Sequence, residues 1–581
     1  IRPVRRNRLT GRIGLIDDDG FTIEVDQAFG NCPQYIQSRT IEPRAENRGA
    51  EGADVVIRAE RFDSRTREMI AGADTLFIAT AHTSAPDQAA RNPTLGVDVS
   101  HRGGRPGFVR LEDERTFTLP DFAGNNHFNT VGNLLLNPRA GFLFVDFETG
   151  DLAYMTGTVE IVWEGEEVRA FAGAERLIRF QAEEVIRAPS ALPLRFAFQS
   201  YSPMLEHTGD WTRAIARLAA ERERDVYRAY EVFAVAPESE TVTSFSLRRA
   251  DGKALAGFEP GQFLPIRLEL PGRDGPVIRT YSLSNAADSD HYRLSIKREG
   301  GGALVSNFLH DHATPGFHIE AIAPRGDFVL DCSSERPVVL LSAGIGVTPM
   351  IAMAETLVQE AKRTRRTRAV FFIHGARNGR NDPFGARLRH LADEHSFLNV
   401  HIRYSQPLAD DRLGESHDSE GHVDLALIKS VLPLDDYDVY LCGPAGFMQT
   451  LYDGLRTLGV AADRIRYESF GPATVLTSGR AKPEDTAGGE PVVVRFRRSE
   501  IEAAWSPDQG TLLDFAEAQG LNPPFACRSG VCGSCSTRVA CGEVDYLEPP
   551  LGPHADDEAL LCRSTPAPSS ACGGAGLVLD L

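Results

Sequence analysis

The stretch Cys527-Arg-Ser-Gly-Val-Cys532-Gly-Ser-Cys535 decides the fold of the C-terminal part of this chain, and a fourth cysteine, Cys562, follows it. The C-x4-C-x2-C spacing with a distant fourth cysteine is that of plant-type [2Fe-2S] ligands. Thiolates are soft ligands that suit iron–sulfur clusters, and the two glycines of the stretch let a tight loop turn its sulfurs inward. A structural zinc site or disulfides are the alternatives, but zinc knuckles usually pair two C-x2-C elements and this sequence has one. We therefore predict four iron ligands and single-electron chemistry.

Residues 491–581 contain three further informative segments: Thr511-Leu-Leu-Asp-Phe-Ala-Glu-Ala, Asn522-Pro-Pro-Phe-Ala and Leu577-Val-Leu-Asp-Leu. Together with the cysteines they resemble a plant-type ferredoxin, which implies an α+β fold of the β-grasp type. The preceding stretch, 472–490, is rich in Thr, Ser, Gly, Pro and charge and has almost no apolar periodicity. This composition predicts a flexible linker before the ferredoxin-like domain.

Length and composition limit the class of protein. At 581 residues the chain is too long for one hydrophobic core, and its net charge of -19 argues against nucleic acid as a partner. Four of the nine cysteines show no spacing typical of a disulfide or metal-binding framework, which favours a location of the protein in the reducing cytoplasm. The longest uncharged run, 337–354, is broken by Gly344, Gly346 and Pro349 and predicts a buried strand and turn, with no membrane span. The chain begins at Ile1, and we expect that part of the natural N-terminus is missing.

Residues 225–335 show short β-rich runs split by turns, which predicts a barrel. Within them stands Arg279-Thr-Tyr281-Ser282. An arginine can pair with a flavin phosphate, a tyrosine can pack along the isoalloxazine, and a serine hydroxyl can reach flavin N5. Further on, Gly300-Gly-Gly-Ala-Leu-Val305-Ser306 places a glycine turn before a helix start, whose free N–H groups suit a pyrophosphate. The alternative for either motif alone is an ordinary strand followed by a glycine turn.

Residues 336–471 alternate strand-like runs with helical stretches, as in an α/β domain. Leu341-Ser-Ala-Gly344-Ile-Gly346-Val-Thr348-Pro349 gives a glycine turn that opens a helix, as a dinucleotide pyrophosphate requires. Two later segments strengthen this weak signal: Tyr440-Leu-Cys442-Gly443-Pro444 and Tyr467-Glu468-Ser-Phe470. For Cys442 the alternative is an inert thiol in the core, which is the commoner place of a cysteine.

In this order the two modules resemble the ferredoxin reductase superfamily, and their residues are similar to the reductase regions of flavohaemoglobins. The resemblance implies that Cys442, Gly443 and Pro444 lie against the nicotinamide and that Glu468 and Phe470 close over the flavin. It also implies that Ser282, Cys442 and Glu468 serve hydride transfer, which depends chiefly on alignment.

The flavin and the nucleotide are less well specified by the sequence. The order of flavin, nicotinamide and ferredoxin domains is similar to that of phthalate dioxygenase reductases, which implies FMN, whereas the residues imply FAD. We predict FAD, with FMN as the alternative. Arg377 and Arg380 could meet the 2′-phosphate of NADPH or could be solvated loop charges, so the nucleotide is NADH or NADPH.

Residues 1–207 contain several β-rich segments separated by turns, which is a barrel pattern. Two runs are distinctive: Val97-Asp-Val-Ser100-His101-Arg102 and Gly124-Asn125-Asn126-His127. They resemble the split-barrel proteins related to pyridoxamine 5′-phosphate oxidase, which commonly bind FMN between two subunits. The resemblance implies an FMN site with His101, Arg102 and Asn125, and a homodimer through the barrel. In the alternative, His101 and His127 satisfy backbone groups of loops.

We thus predict a multidomain protein with a split β-barrel, an antiparallel flavin-binding β-barrel, an α/β nucleotide-binding domain and an α+β ferredoxin-like domain. The predicted bounds are 1–207, 208–224 for a connecting helix, 225–335, 336–471, 472–490 for the linker and 491–581. The predicted activity is an NAD(P)H-dependent oxidoreductase that passes hydride to FAD and single electrons to the [2Fe-2S] cluster, with the terminal acceptor at the N-terminal barrel. Two alternatives stay open. The chain could reduce a separate oxygenase or demethylase while the barrel serves docking or dimerisation, or the barrel could sense a small molecule.

Overall fold

The computed structural model describes residues 7–17, 20–30, 32–43, 56–82, 96–272, 276–300, 304–468, 470, 491–521, 523–525, 530, 533–547, 550, 554–567 and 576–581. The chain forms two compact units, Ile1–Ala219 and Ala220–Leu581. Within the described ranges, none of the helices has both the length and the apolar character that a bilayer crossing needs.

The first unit is built on an eight-stranded antiparallel sheet, which confirms the predicted barrel pattern. Its strands follow one another in space as Val97–Gly103, Thr75–Ala81, Arg139–Val145, Leu152–Val162, Ala174–Ala188, Thr116–Phe122 and Arg110–Leu111, with Ile57–Ala59 beside Ala174–Ala188. Phe117, Phe142, Phe144 and Phe180 fill the space inside, with neighbouring ring centroids 4.7 to 5.5 Å apart. These large buried rings supply much of the apolar area that holds the sheet together.

Two separate strand pairs complete the β structure of the first unit: Asn7–Asp17 with Gly20–Gly30, and Ser38–Pro43 with Leu194–Ser200. The β-rich segment from Gly11 to Val25, one of those predicted within residues 1–207, is therefore shared by two antiparallel strands. The described helices before the connecting segment are Ser64–Gly72, Asn129–Leu136 and Glu166–Ala170, with a 3₁₀ turn at Pro203–His207. Asp63 caps the first of them, because its carboxylate accepts a hydrogen bond from the Thr66 N–H at 2.7 Å.

The predicted connecting helix is present as Trp211–Arg222. Its first residue, Trp211, is buried and meets the Phe171 ring edge to face at 5.0 Å, while Arg110 lies 3.8 Å over the indole. These contacts tie the start of the helix to the core of the first unit.

The second unit begins with a six-stranded antiparallel sheet. Its order in space is Val277–Ser282, Phe263–Leu268, His318–Ala321, Arg228–Pro237, Val242–Arg249 and Tyr292–Lys297. Inward residues such as Val232, Phe245, Leu264 and Leu294 are fully buried, and the helix Leu304–His312 adds Leu309 to the same core. The sheet confirms the predicted antiparallel barrel.

A six-stranded parallel sheet follows, in the order Ser419–Glu420, Leu398–Tyr404, Val370–Ala376, Val338–Ala343, Asp438–Cys442 and Ile465–Glu468. The helices are Val347–Thr364, Gly385–Glu394, Leu425–Val431 and Ala445–Thr457, with 3₁₀ turns at Gly344–Gly346, Gly379–Asn381 and Ala462–Arg464. The central strand is continuously apolar and buried from Val338 to Leu341, as a parallel strand covered on both faces requires. The predicted α/β domain is confirmed.

The C-terminal part is a small α+β domain, as predicted. One sheet runs Ile501–Trp505, Val492–Phe496, Leu577–Leu579, Ser536–Cys541 and Glu558–Leu560, and a second pairs Val544–Tyr546 with Ser564–Pro566. A 3₁₀ turn at Pro507–Gln509 precedes the helix Leu512–Ala518. Thr511 and Asp514 form a reciprocal capping box at the start of that helix, which fixes where it begins.

Candidate functional site

The carboxyl ends of three neighbouring parallel strands bring predicted residues together. Ser342 pairs across the sheet with Cys442, and Cys442 pairs with Glu468 on the next strand. The carboxyl edge of a parallel sheet is where α/β domains bind ligands. Cys442 and Glu468 both lie at this edge. They are 26 residues apart in the sequence but are direct neighbours in the sheet.

A side chain of the barrel joins them. Ser282, the last residue of the strand Val277–Ser282, donates a hydrogen bond from Oγ to Glu468 Oε2 at 3.3 Å. The two residues are 186 positions apart, so this contact links the antiparallel barrel to the parallel sheet. The structure thereby gathers Ser282, Cys442 and Glu468 at one place.

The Cys442 thiol is fully buried at this junction. Burial, and after it the nearby Glu468 carboxylate, raises the pKa of the Cys442 thiol well above its usual value. The side chain is therefore a neutral thiol at neutral pH, which excludes it as a thiolate nucleophile. It remains a small, polarisable surface at the edge of the sheet.

Glycines allow the backbone to come close at the same edge. Gly344 has a φ of +55°, in the left-handed region where a side chain is strained. A Cβ on Gly346 would lie 2.3 Å from the Cys442 carbonyl oxygen, so no larger residue fits without moving that strand end. Thr348 and Pro349 follow in the buried first turn of the helix Val347–Thr364, and Thr348 Oγ1 donates to the Ile345 carbonyl at 3.0 Å. The Val347 N–H already donates to the Gly344 and Ile345 carbonyls and Pro349 has no N–H, so the attraction of this helix start for an anion comes chiefly from the helix dipole.

The remaining nucleotide-side residues lie around the Cys442 strand end. A Cβ on Gly443 would approach the Phe447 ring to 2.8 Å, and Pro444 precedes the helix Ala445–Thr457. Phe470 is 44% exposed, so its ring is available to contact a ligand. The rest of the predicted closing segment, Ser469, Gly471 and Pro472, lies outside the described residues.

The predicted flavin anchors lie on the barrel. Arg279 is exposed on the strand next to Phe263–Leu268, and among the described residues no carboxylate lies within ion-pairing distance of it. Such a guanidinium suits a phosphate. Burial raises the pKa of the half-buried Tyr281 hydroxyl, which stays protonated. Val305 and Ser306 are buried in the first turn of Leu304–His312, and Gly301 and Gly302 lie outside the described residues.

A buried polar network beside this edge was missed by the sequence analysis. Ser342 Oγ and His374 Nδ1 are hydrogen-bonded at 2.8 Å, and both side chains are fully buried. His374 Nε2 faces Asp382 Oδ1 at 3.8 Å, and Tyr404 donates to the other Asp382 oxygen at 3.1 Å. The signal that could have found the network is a histidine inside the otherwise apolar run Val370-Phe-Phe-Ile-His374. A buried polar residue there needs a partner.

The two arginines considered for a 2′-phosphate differ. Arg377 is exposed, whereas Arg380 lies 3.6 Å from Glu240 and 3.9 Å from Asp410. Its charge is therefore partly balanced, whereas that of Arg377 is not paired with a carboxylate among the described residues.

Two of the four predicted iron ligands are described, and they lie together. The Cys535 and Cys562 sulfurs are 3.2 Å apart, and both side chains are buried. This distance is well beyond the roughly 2.05 Å of a disulfide, so the pair presents two thiols at one point. Strand pairing explains the approach, because Ser536 lies opposite Leu560. Cys527 and Cys532 lie outside the described residues.

Gly530 and Gly533 have φ values of +72° and +73°, as predicted for a tight cluster loop. The observed thiol pair and the turning glycines fit a [2Fe-2S] cluster.

The first unit has two adjoining cavities of about 90 Å³ each, which share Arg8, Ser100, Arg102, Asp121 and Asn125 among their lining residues. Arg102 pairs with Asp121 at 3.2 Å, and Asn125 Oδ1 accepts from the His127 N–H at 3.2 Å. His101 Nε2 lies 3.1 Å from the Gln34 carbonyl oxygen. This contact agrees with the alternative in which His101 satisfies a backbone group of a loop. The cavity wall is polar and carries both signs of charge.

Family comparisons cover all four parts of the chain. Residues 62–199 match the model described as pyridoxamine 5′-phosphate oxidase, and 229–330 match the oxidoreductase FAD-binding domain. Residues 340–453 match the oxidoreductase NAD-binding domain, and 494–567 match the 2Fe-2S iron-sulfur cluster binding domain. The chain therefore combines a domain of the pyridoxamine 5′-phosphate oxidase type, the FAD-binding and NAD-binding domains of oxidoreductases and a 2Fe-2S cluster-binding domain.

Individual relatives cover only part of this oxidoreductase. A flavohemoprotein of Deinococcus radiodurans is 42% identical over 247 residues, which are 42% of this chain and 60% of the relative. The chain thus spans less than two thirds of the length of that relative. The flavohem-like FAD/NAD-binding domain of nitric oxide dioxygenase from Vibrio cholerae O1 biovar El Tor is 39% identical over 42% of this chain and 99% of that domain, with a TM-score of 0.38. Phthalate dioxygenase reductase is 26% identical over 62% of this chain and 99% of that protein, with a TM-score of 0.37.

Proposed function

We propose that the oxidoreductase transfers hydride from NAD(P)H to FAD at the junction formed by Ser282, Cys442 and Glu468, and that electrons then reach the [2Fe-2S] cluster one at a time. The observation that carries this proposal is the Ser282 to Glu468 hydrogen bond of 3.3 Å. It joins the barrel that supplies the flavin residues to the sheet edge that supplies the nucleotide residues. A flavin in this place converts a two-electron donor into a one-electron donor.

Ser282 and Glu468 act in this proposal by alignment. The serine hydroxyl holds the carboxylate of the C-terminal strand against the end of the barrel strand. A hydride donor and acceptor must lie near 3 to 3.5 Å with correct orientation, and a displacement of about 1 Å can cost roughly a hundredfold in rate. We therefore assign Glu468 to placement of the nicotinamide ring over the flavin.

Cys442 acts by shape and not by charge. Its thiol stays neutral because burial and Glu468 both disfavour the thiolate. The Cys442 carbonyl packs against Gly346, so the strand end and the glycine turn keep a fixed spacing. With this spacing the start of the helix Val347–Thr364 would hold the pyrophosphate, and Cys442, Gly443 and Pro444 would contact the nicotinamide.

On the flavin side, Arg279 is the phosphate anchor in this proposal. Its guanidinium is exposed and has no carboxylate within ion-pairing distance among the residues that the structure describes. Tyr281 would pack along the ring system, and the start of the helix Leu304–His312, with Val305 and Ser306, would receive the second phosphate. The cluster ligands are Cys527, Cys532, Cys535 and Cys562, of which the last two already present paired sulfurs.

For the terminal acceptor we infer the N-terminal barrel, where Arg102 and Asn125 line the cavity. Support comes from the fusion of a pyridoxamine 5′-phosphate oxidase-type domain, a group that binds FMN, to the reductase. The alternative is a separate redox protein. The domain bounds given above, with the linker at 472–490, belong to the same proposal.

Cofactor content and turnover of the purified chain test the acceptor. Two flavins per chain, with the second reduced only after the cluster, would support an acceptor at the barrel. One flavin per chain, with rapid reduction of added cytochrome c, would contradict it and favour a separate acceptor. A rate of NAD(P)H oxidation that depends on a small molecule bound to the barrel would instead indicate a sensing role.

A further inference from the structure

The two halves of the proposed hydride site belong to different domains of the second unit. Ser282 ends a strand of the antiparallel barrel, whereas the turn Gly344–Gly346 opens the helix Val347–Thr364 of the parallel-sheet domain. A misplacement of about 1 Å between hydride donor and acceptor can cost roughly a hundredfold in rate. The contacts that fix the spacing between these two segments therefore bear on hydride transfer.

On the barrel side, Arg293 holds the segment that follows Ser282. The side chain of Arg293, on the strand Tyr292–Lys297, donates from Nε to Ser284 Oγ at 3.2 Å and from Nη2 to the Ser284 carbonyl. Its backbone N–H donates to Asn285 Oδ1 at 2.8 Å, and Ser284 and Asn285 are both buried. The guanidinium is thus tied to the backbone two residues after Ser282.

The same guanidinium reaches the parallel-sheet domain. Arg293 Nη2 donates to Glu355 Oε2 at 3.3 Å, and Arg387 Nε donates to Glu355 Oε1 at 3.0 Å. Arg387 lies on the helix Gly385–Glu394 of the parallel-sheet domain. The Glu355 side chain is only 11% exposed. One carboxylate therefore joins an arginine of the barrel to an arginine of the other domain, and we call these three residues the Glu355 bridge.

Two neighbouring contacts accompany the Glu355 bridge. The Ala287 N–H, in the barrel, donates to Thr356 Oγ1 at 3.2 Å, and Thr356 is the residue after Glu355 on the helix. The Arg293 guanidinium also lies 5.5 Å over the buried ring of Phe384. An ion pair in such a partly buried place is less screened by water and salt than a pair on the open surface.

We propose, building on the function proposed above, that Glu355 is a positioning residue for hydride transfer. It holds the helix Val347–Thr364 at the distance from Ser284 at which the nicotinamide and the flavin align. Glu355 stands eight residues after Val347, which is about 12 Å along the helix axis at roughly 1.5 Å per residue. Glu355 therefore acts through the placement of the helix and the glycine turn before it.

Charge explains why the carboxylate is needed. The Glu355 bridge contains two guanidinium groups and one carboxylate. Without the carboxylate, Arg293 and Arg387 would face each other as two uncompensated positive charges, one on each domain. Removal of one partner from a partly buried ion pair is costly for this reason. Repulsion between the two arginines would push the barrel strand and the helix apart.

Other contacts across the same interface keep the two domains together. Ser282 donates to Glu468 at 3.3 Å, and the Glu240 N–H donates to the Arg380 carbonyl at 3.0 Å. Both contacts are independent of Glu355. Loss of the carboxylate should therefore tilt one domain against the other and leave the protein folded.

Anaerobic stopped-flow reduction of the full chain by NADH tests the proposal. In Glu355→Gln, which keeps the size of the side chain, the limiting rate of flavin reduction should fall about ten- to a hundredfold. The flavin and iron contents should stay at the wild-type level, and the NADH concentration at half-saturation should change by less than about threefold. The long-wavelength charge-transfer absorbance of the nicotinamide–flavin complex, which depends on overlap of the two rings, should weaken in parallel.

Glu360→Gln is the matched control. It makes the same chemical change five residues further along the same helix, where Glu360 pairs with Arg363 at 2.8 Å within one domain. Its rate of flavin reduction and its charge-transfer absorbance should equal those of wild type. A loss of rate in this control as large as in Glu355→Gln would overturn the proposal, because any lost charge on the helix would then have the same effect.

A second variant separates positioning from a general loss of structure. Arg387→Ala added to Glu355→Gln removes one of the two repelling charges, so the double variant should reduce its flavin about threefold or more faster than Glu355→Gln. If Glu355 served only the stability of the fold, the second substitution would add to the damage. A double variant as slow as Glu355→Gln, or slower, would therefore contradict a positioning role.

Glu468→Ala distinguishes failure of this inference from failure of the proposed function. If Glu468→Ala slows flavin reduction and Glu355→Gln does not, Glu355 is not a positioning residue and the proposed function stands. If neither substitution slows it, the proposed hydride site and the role of Glu355 both fail. Loss of flavin from Glu355→Gln would also overturn the inference, since it would assign Glu355 to flavin binding.

Discussion

At the scale of single residues, chemistry at the junction is set by what surrounds each group. Cys442 is a neutral thiol because it is fully buried next to a carboxylate. Arg279 is exposed, its Nη1 donates to the Ile278 carbonyl at 2.8 Å, and no carboxylate pairs with it among the described residues. Ser282 and Glu468 meet although the sequence separates them by 186 positions. The environments of Glu468 and Arg279 each lead to a prediction for a substitution.

Replacing Glu468 by alanine should slow hydride transfer and leave the flavin and the iron bound. The variant removes the acceptor of the Ser282 hydrogen bond, and a nicotinamide displaced by about 1 Å loses roughly a hundredfold in rate. Anaerobic stopped-flow reduction by NADH and by NADPH measures the effect. Glu415→Ala is the control, because Glu415 is an exposed glutamate whose side chain is 71% accessible. Equal bleaching rates in both variants would remove Glu468 from the site.

Arg279→Ala should release the reductase flavin while the iron content stays unchanged. A charge-assisted hydrogen bond to phosphate contributes about 1.5 to 3 kcal/mol, which is roughly ten- to a hundredfold in affinity. Flavin retained after dialysis is the measurement. Arg267→Ala on the adjacent strand is the control, since Arg267 is already paired with Glu320 at 2.9 Å. If both variants keep a full complement of flavin, Arg279 is not the anchor.

At the scale of elements, the parallel sheet and the glycine turn position the site. Gly346 and Cys442 are in backbone contact because the first turn of Val347–Thr364 packs on the end of Asp438–Cys442. The sheet also carries His374, whose burial lowers its pKa and keeps the ring neutral. The packing of these elements thus affects both the binding of the nucleotide and the pH dependence of the protein's stability.

Gly346→Ala should raise KM for the nucleotide and lower kcat/KM by tenfold or more without loss of flavin. The added Cβ would lie 2.3 Å from the Cys442 carbonyl oxygen, so the turn or the strand end must move. Steady-state reduction of an artificial acceptor with NADH gives both constants. Gly446→Ala is the control, because a Cβ at Gly446 meets no atom within 4 Å. A Gly346→Ala enzyme with wild-type constants would contradict the placement of the pyrophosphate at this turn.

His374 should make the protein less stable in mild acid. In the unfolded chain a histidine binds its proton below about pH 6.5, whereas the folded His374 has a lowered pKa and does not. The unfolded state then binds more protons, and the free energy of unfolding falls as the pH drops below about 6.5, by up to about 1.4 kcal/mol per pH unit.

Thermal midpoints at pH 7.0 and pH 5.0 check this expectation. The drop between the two pH values should be smaller in His374→Gln than in wild type. It should not vanish, because burial also lowers the pKa of His310, His395 and His401. A drop of the same size in variant and wild type would show that His374 does not contribute.

The sequence predicts features that depend on neighbouring residues better than it predicts contacts between residues that are far apart in the chain. Local signals were sufficient for the strand from Val338, the glycine turn at Gly344 and the cluster glycines, because φ angles and apolar runs follow from neighbouring residues. The Ser342 to His374 network was not predicted, since it depends on register between two strands. The pairing of Asn7–Asp17 with Gly20–Gly30 was not predicted from one β-rich segment, because it too depends on the register between two strands.

At the scale of the whole molecule, four modules in one chain form a redox protein whose first unit differs from the rest. Among the residues that the structure describes, the unit Ile1–Ala219 carries 19 of the 27 exposed large apolar side chains. The unit Ala220–Leu581 contains the barrel, the parallel sheet and the domain that holds the paired Cys535 and Cys562 thiols. The proposed path from NAD(P)H through the flavin to the cluster uses residues of this second unit, whereas the proposed terminal acceptor belongs to the first.

Loss of one ligand thiol should remove the cluster and spare the flavin. Cys562→Ser takes one sulfur from the pair that lies 3.2 Å apart, and a hydroxyl is a poor substitute for a soft thiolate ligand. Iron analysis and the visible spectrum should show loss of the cluster, while NADH still bleaches the flavin at the wild-type rate. Cys332→Ser, at an exposed cysteine, is the control and should keep its iron. A Cys562→Ser chain with full iron content would overturn the ligand assignment.

The central claim is that electrons pass from the nucleotide through the flavin to the cluster. Its most direct measurement is the anaerobic rate of cluster reduction by NADH in the full chain, with its flavin and after flavin removal through Arg279→Ala. We predict that flavin bleaching precedes cluster bleaching in wild type and that the cluster of the flavin-depleted chain stays oxidised until flavin is added back. Cluster reduction by NADH at the wild-type rate without the flavin would contradict the account.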